Sequence, residues 1–282
     1  MQLSVKAEPI FYPLVKELGF DGIDLSMHGS AMREAILAPE YRREVLEQGK
    51  SIRNNGLQVS QTHLGYHPAH TPVPGDGSYR VFEELMLPIF LKQIELSAEL
   101  GANVCVIHLY LSADRAVCKE ANLTLLEKLL PTVERCGITL AIENIFDKGL
   151  TDGGLNSAED LLCFVEQLKS PNLGICLDTG HAVGLGQNPV EMLGKIGHHL
   201  SALHVHSTTL KKDLHAIPYS LGVSDHIDWN AFAKRLGEIG YTGNFNLEIK
   251  LRLGTGDPHA DTIATAYYRF ARDVARTIMT HI

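Results

Sequence analysis

Six acidic or imidazole side chains of this chain sit at the tails of successive apolar segments, where they could hold a metal ion or move protons. His63 ends LQVSQTH, His108 ends ANVCVIH, Glu143 ends GITLAIE and Asp178 ends LGICLD, while His204 falls within LSALHVH and Glu248 within NFNLE. The intervals between them are 45, 35, 35, 26 and 44 residues, each close to the length of one strand–helix unit. In a parallel barrel all strand tails open on one rim, so these groups would converge on one pocket. Glu143 and Glu248 carry the central chemistry. Each ends a hydrophobic strand, where a carboxylate is costly unless paired, hydrogen-bonded or bound to metal. On strands five and eight they would stand on roughly opposite walls with a ligand-sized gap between them. From there they could exchange protons on either side of a carbon next to a carbonyl. A carboxylate that merely caps the barrel and salt-bridges to a neighbour would explain either Glu alone, and explains the whole set poorly.

The remaining candidates extend this set. Asp178 lies in LDTGH with His181 three residues on, and a strand-end Asp followed by a Gly-containing turn can present both groups to one cavity. A helix-capping Asp with a surface His is the plainer alternative. His204 and His206 share one face of a strand, because side chains repeat every two residues; one can serve as a ligand while the other packs beside it. Asp213 and His215, in KKDLH, fall in the loop after strand seven. They could hold a second metal, grip a substrate phosphate or hydroxyl, or sit on the surface. His63 and His108 end strands three and four, and the segment THLGYHPAHTPVPG places Tyr66, His67 and His70 in a loop over the pocket. His28, His198, His199, His226, His259 and His281 read as structural or solvated. A metal held by two Glu, one Asp and one His is oxygen-rich, which favours Mg, Mn or Co with open positions over structural zinc.

The elements that must position these groups are legible in the hydropathy pattern. Apolar runs lie near Leu3–Val5, Gly22–Leu25, Leu57–Ser60, Val104–Ile107, Ile138–Ile142, Leu173–Leu177, Leu200–Val205 and Phe245–Ile249. Several are continuously apolar, as parallel strands covered on both faces should be. Between them run helical stripes such as Phe82, Leu85, Met86, Ile89 and Phe90, or Leu161, Leu162, Val165 and Leu168. Asn156 and Ser157 ahead of Glu159 and Asp160 form an N-terminal cap signal, and Gly101, Gly137 and Gly240 stand where helices end. Trp229 reads as a core anchor opening the last-but-one helix. Eight β/α units in 282 residues give about 35 residues each, so the expected fold is α/β, a single (β/α)8 TIM barrel forming one domain over 1–282. A doubly wound sheet is less favoured, since no Gly-rich dinucleotide turn follows the first strand.

Composition narrows the partners. With 33 acidic against 25 basic residues the net charge is −8, which argues against a nucleic-acid binder. There is no run of 18 apolar residues, and the start MQLSVKAEPI has no basic region followed by an apolar stretch. The expectation is therefore a soluble, cytoplasmic protein with no membrane association. The five cysteines show no CxxC spacing and read as reduced core thiols. No interface stripe decides whether the barrel forms a homo-oligomer.

Together the motifs LGFDGIDL, THLGY, VIHL, LAIEN, LDTGH, LHVH, DLH and NLEI, in this order, resemble the xylose isomerase-like TIM-barrel superfamily. It contains sugar isomerases and epimerases as well as endonuclease IV-type enzymes. In the epimerase branch the resemblance implies that Glu143, Asp178, His204 and Glu248 bind one divalent metal (Mn, Mg, Co or Zn). It makes Glu143 and Glu248 the acid–base pair and puts His181 on a small carbohydrate substrate. His204 is preferred over His206 because nine residues then separate it from Asp213, as in many relatives. The relatives' acidic residue three positions after the strand-seven His is Ser207 or Thr209 here, and Lys211 and Lys212 are the nearest counterparts of a substrate-gripping arginine. The endonuclease IV pattern is also matched, by His63, His108, Glu143, Asp178, His181, His204, Asp213, His215 and Glu248. That match implies up to three zinc ions and a phosphodiesterase acting on abasic DNA. Dehydratase chemistry on a polyol or cyclic acid is a further alternative within the superfamily.

Overall fold

The computed structural model describes residues 1–27, 38–65, 78–112, 114–146, 155–253 and 257–282. Tyr66, His67, His70 and His28 lie outside the described residues. Eight strands carry the fold: β1 Gln2–Val5, β2 Gly22–Ser26, β3 Gln58–His63, β4 Val104–Ile107, β5 Thr139–Glu143, β6 Leu173–Asp178, β7 Leu200–His204 and β8 Asn244–Leu247. They pair in the order β7-β6-β5-β4-β3-β2-β1-β8, and every pairing is parallel. β7 meets β8 through Val205, whose N–H donates to Asn246 O at 2.8 Å and whose carbonyl accepts from Glu248 N at 3.2 Å. The ring of strands is thereby closed into the expected (β/α)8 barrel.

Alternation along the strands sorts the core into two compartments. Outward residues such as Leu3, Val5, Ile107, Leu140, Ile142, Leu177, Leu203 and Phe245 join the main apolar cluster under the helices. Inward residues on one side of the barrel form a small separate cluster of Val106, Ala141, Cys176 and Ala202. On the other side the interior is polar. Ser4 Oγ donates to Asn246 Oδ1 (3.0 Å), and Asn246 Nδ2 and Gln61 Nε2 donate to Asp24 Oδ2 (2.9 and 3.3 Å). A register shift between Ile23 and Asp24 sets Gln61, rather than Ser60, opposite Asp24.

Local signals act where the sequence places them. Ser157 and Asp160 form a reciprocal capping box on the helix Ala158–Leu168. Gly137 ends the helix Arg115–Cys136 with a φ of 66°, in the left-handed region that suits glycine. Trp229 is buried at the start of the helix Trp229–Glu238, and the cysteines are free, with Cys105, Cys118 and Cys176 buried. Of the histidines read as structural or solvated, His198, His226, His259 and His281 are exposed and His199 is half-buried. Among the described residues no helix is long and apolar enough to cross a membrane.

One buried polar residue ties the rim of β2 and β3 to the helices. Gln93, in the helix Ser78–Glu99, accepts from Gly65 N (2.8 Å) and donates to Met27 O (3.0 Å) and Tyr41 Oη (2.9 Å). Replacing it by leucine leaves Gly65 N without its acceptor, while Tyr41 Oη and Met27 O keep the 3.0 Å hydrogen bond between them. Gln93→Leu should cost about 1–3 kcal/mol, the penalty for one unsatisfied buried partner. Denaturant unfolding of the variant beside the wild type measures it, and an unchanged midpoint would refute the account.

Candidate metal centre

The barrel mouth brings the strand-tail residues together. Glu143, Asp178, His204 and Glu248 each offer one ligand atom, all within 4.8 Å of one another, and all four side chains are buried. His204 Nδ1 lies 3.0 Å from Glu143 Oε1 and 3.2 Å from Glu248 Oε2. The gap between the two glutamates is thus narrower than the ligand-sized space expected from their strands. Long side chains reaching inward from β5 and β8 bring their carboxylates within ion-coordinating range.

His63 and His108 approach the other oxygen of Glu143, at 3.4 and 3.0 Å, and make a second group with it. Asp178 both caps the short helix Thr179–Gly184, accepting from His181 N at 2.6 Å, and faces the pocket, so the two readings of LDTGH hold together. His181 is buried, and its Nδ1 lies 2.8 Å from the carbonyl of Asn144. A carbonyl can only accept, so this contact puts a proton on Nδ1 and turns Nε2 toward the pocket, 4.0 Å from Asp213 Oδ2. His215 repeats the arrangement, with Nδ1 2.8 Å from Glu248 O and Nε2 3.0 Å from Asp213 Oδ2. It does so in the left-handed region (φ 50°), a strained setting for a non-glycine residue.

His204 and His206 both face inward and are fully buried, as their spacing predicts. His204 joins the four-donor group. His206 has its Nε2 3.1 and 3.2 Å from the Asp178 oxygens, stacks on His215 with centroids 4.3 Å apart, and forms a group with His215 and Glu248. Gly180 makes room for it: a Cβ there would fall 1.9 Å from His206 Cε1. The loop carrying Asp213 and His215 is pinned from behind by Asp225, which accepts from Ser207 Oγ (2.7 Å), Tyr219 N (2.8 Å) and Trp229 Nε1 (3.1 Å). Lys211 and Lys212 are exposed, with no side-chain ion pair among the described residues.

Two residues at the mouth were not anticipated. Lys6, just past β1, is 3.0 Å from Glu248 Oε1. Asp24, inside β2, lies 3.4 Å from His204 Nε2, and its Oδ1 is buried without a partner among the described residues. The sequence held a signal for each: Lys6 ends an apolar run as the others do, and Asp24 interrupts the apolar strand GIDL.

The donor chemistry fits a divalent cation. Carboxylates and a histidine Nδ1 converge, and Asp24 stands behind the ring where it can hold Nε2–H and turn Nδ1 toward an ion. Burial favours protonated carboxyls, yet the His204 and His108 charges outweigh it at Glu143, and Lys6 and His204 do so at Glu248, holding both well below the usual carboxylate range. The same carboxylates act in reverse on the imidazoles. Burial pulls His181 down, but Asp178 and Glu143 lift it to about 10. His204 is likewise raised well above 6.5, the Glu143 and Glu248 carboxylates overcoming burial.

A barrel whose strand tails gather carboxylates and imidazoles into one buried centre defines the class of protein. The chain belongs to the xylose isomerase-like TIM barrel family, whose model matches residues 13–270. A Sinorhizobium fredii protein, y4fM, is 25% identical to it over 266 residues, covering 84% of this chain and 79% of its own. Among solved structures, D-psicose 3-epimerase from Clostridium cellulolyticum H10, determined with D-tagatose, superposes with a TM-score of 0.75 at 16% identity over 99% of both chains. A D-tagatose 3-epimerase-like protein superposes with a TM-score of 0.72 at 20% identity, over 99% of this chain and 98% of its own. At these identities the structural likeness speaks for the fold.

Two outcomes follow from the geometry. Asp24→Ala should weaken divalent-metal affinity by about 10–100-fold, the usual effect of losing a partner behind a ligand; competition with a chromogenic chelator reads it, and unchanged affinity would remove Asp24 from this role. His204, with its pKa raised, carries a proton at neutral pH without metal, and an ion takes only the neutral ring. Binding should therefore release protons and tighten as the pH rises. Calorimetry in buffers of different ionisation heat detects that release, and a pH-independent affinity would contradict it.

Proposed function

We propose that this protein is a divalent-metal-dependent isomerase or epimerase acting on a small carbohydrate or polyol derivative. The observation that carries the reading is the convergence of Glu143, Asp178, His204 and Glu248 on a single ion-sized gap at the barrel mouth. The likeness in fold to the psicose and tagatose 3-epimerases supports it. A divalent ion held by these four residues would supply Lewis-acid polarisation of a carbonyl.

The chain's own groups account for the proton transfer. Glu143 and Glu248 are kept ionised by the charges around them, so either can take a proton from a carbon next to a carbonyl. Having taken it, that group becomes the acid for the return step. Lys6 holds Oε1 of Glu248 and leaves Oε2 turned inward. His181, anchored through Nδ1 to Asn144, presents Nε2 to a substrate hydroxyl.

A second reading is favoured by one specific observation. His63 and His108 gather on Glu143, and His206 and His215 gather with Glu248, so the donors suffice for more than one ion. This is the arrangement an endonuclease IV-like zinc phosphodiesterase would use.

Elemental analysis of protein purified without chelator or added metal separates the two. About one ion per chain supports the isomerase, two to three zinc ions support the hydrolase, and no uptake after reconstitution overturns both. On the substrate found with a ketose and aldose panel, Glu143→Gln and Glu248→Gln should each lower kcat by about 10²–10⁴-fold with the fold retained. If either keeps more than about a tenth of the wild-type rate, far from the loss expected of an acid–base group, the two-carboxylate scheme fails.

A further inference from the structure

A cleft of about 480 Å³ opens beside the candidate metal centre, between the tails of β1 and β2 and the chain after β8. Its lining includes Lys6, Lys250, Arg252, Ser26 and Asp24. The two sites share a wall, because Lys6 is bonded to Glu248 and Asp24 faces His204.

The lining carries three cations, Lys6, Lys250 and Arg252, and two carboxylates, Asp24 and Glu8. Lys6 is paired with Glu248, whereas Lys250 and Arg252 make no ion pair among the described residues. Ser26 Oγ is shielded from solvent and has no hydrogen-bond partner among the described residues. A neutral sugar would leave the two unpaired cations, Lys250 and Arg252, and the idle hydroxyl without a partner. A dianion with three acceptor oxygens matches them. The Asp24 and Glu8 carboxylates repel an anion, so one cation would not suffice.

We propose that this cleft binds a phosphate group of the substrate, with Lys250, Arg252 and Lys6 as its cationic contacts and Ser26 Oγ as a hydrogen-bond donor. The inference rests on the isomerase reading and narrows its substrates to phosphorylated carbohydrates. The phosphate sits in the cleft while the sugar reaches past Glu248 to the carboxylates.

The test titrates inorganic phosphate into metal-loaded protein, comparing the wild type with Lys250→Ala/Arg252→Ala by calorimetry. Both substituted side chains are exposed and outside the core. Phosphate should bind the double variant at least tenfold more weakly, with metal content and melting temperature unchanged. Equal binding to both proteins overturns the subsite, since phosphate held by the metal alone would behave in that way. If glucuronate loses affinity in the variant and phosphate does not, the cleft is a carboxylate site and the phosphate assignment is overturned. Failure of the isomerase reading shows separately, as absence of metal from the wild type, and phosphate binding to that same metal-free protein still decides the cleft.

Discussion

Glu143, Asp178, Glu248 and Asp24 place four carboxylates inside a barrel mouth that excludes water, and the rest of the site is organised around compensating them. Removing an ionised carboxylate from water costs several kcal/mol unless a counter-charge or hydrogen bonds replace its hydration. Lys6 is the only lysine or arginine ion-paired with any of the four among the described residues. The protein meets the remainder by lifting the proton affinity of His181, His204 and His206. A divalent ion held there would do the same work, taking the place of the proton on His204 and neutralising carboxylates at once. The surrounding contacts keep that exchange possible. The Asn144 side chain donates to Asp178 O and accepts from Asp178 N, at 2.9 and 2.8 Å, so Asp178 is held by its backbone while its carboxylate stays available.

Much of this architecture was legible because parallel strands write their burial directly into the sequence. All eight apolar runs became strands, with ends displaced by no more than three residues. β3 extends to His63 although its last residues are polar, because the register shift at Asp24 turns Gln61 into a barrel interior sealed by hydrogen bonds. The strand-tail series worked for a related reason. Successive strand ends are far apart in sequence and adjacent in space, so a repeated residue class at those ends survives as a spacing signal.

What escaped the sequence depends on closure rather than on any single strand. Lys6 looks like a solvated lysine until β1 pairs with β8, with Val5 opposite Leu247, and sets it beside Glu248. Asp24 looks like an oddity in an apolar strand until Asn246, 222 residues away, donates to it. The strand pattern alone left His204 and His206 open, because a two-residue repeat turns both inward, and the preference for His204 rested on resemblance to relatives. The distinction lies in what faces them: Asp24 behind His204, and the missing Cβ of Gly180 beside His206. The Glu143–Glu248 gap could not be judged from strand numbers, since it depends on how far each side chain reaches.

The division of the barrel interior into a small apolar half and a polar half has a consequence for where substrate can go. Val106, Ala141, Cys176 and Ala202 fill one side with groups that cannot bind anything charged. Ser4, Asp24, Gln61 and Asn246 fill the other, directly beneath the tails of β1, β2 and β8. On that polar side a cleft runs from the surface toward the carboxylates, and Asp24 lies in its wall while facing His204. One carboxylate thus orients a candidate metal ligand and burdens the neighbouring cleft with negative charge. An anion can enter only if cations outnumber that charge, which gives Lys6, Lys250 and Arg252 a physical reason to stand together. The two sites are then not independent features of the mouth. The charge that organises one sets the charge that the other must carry.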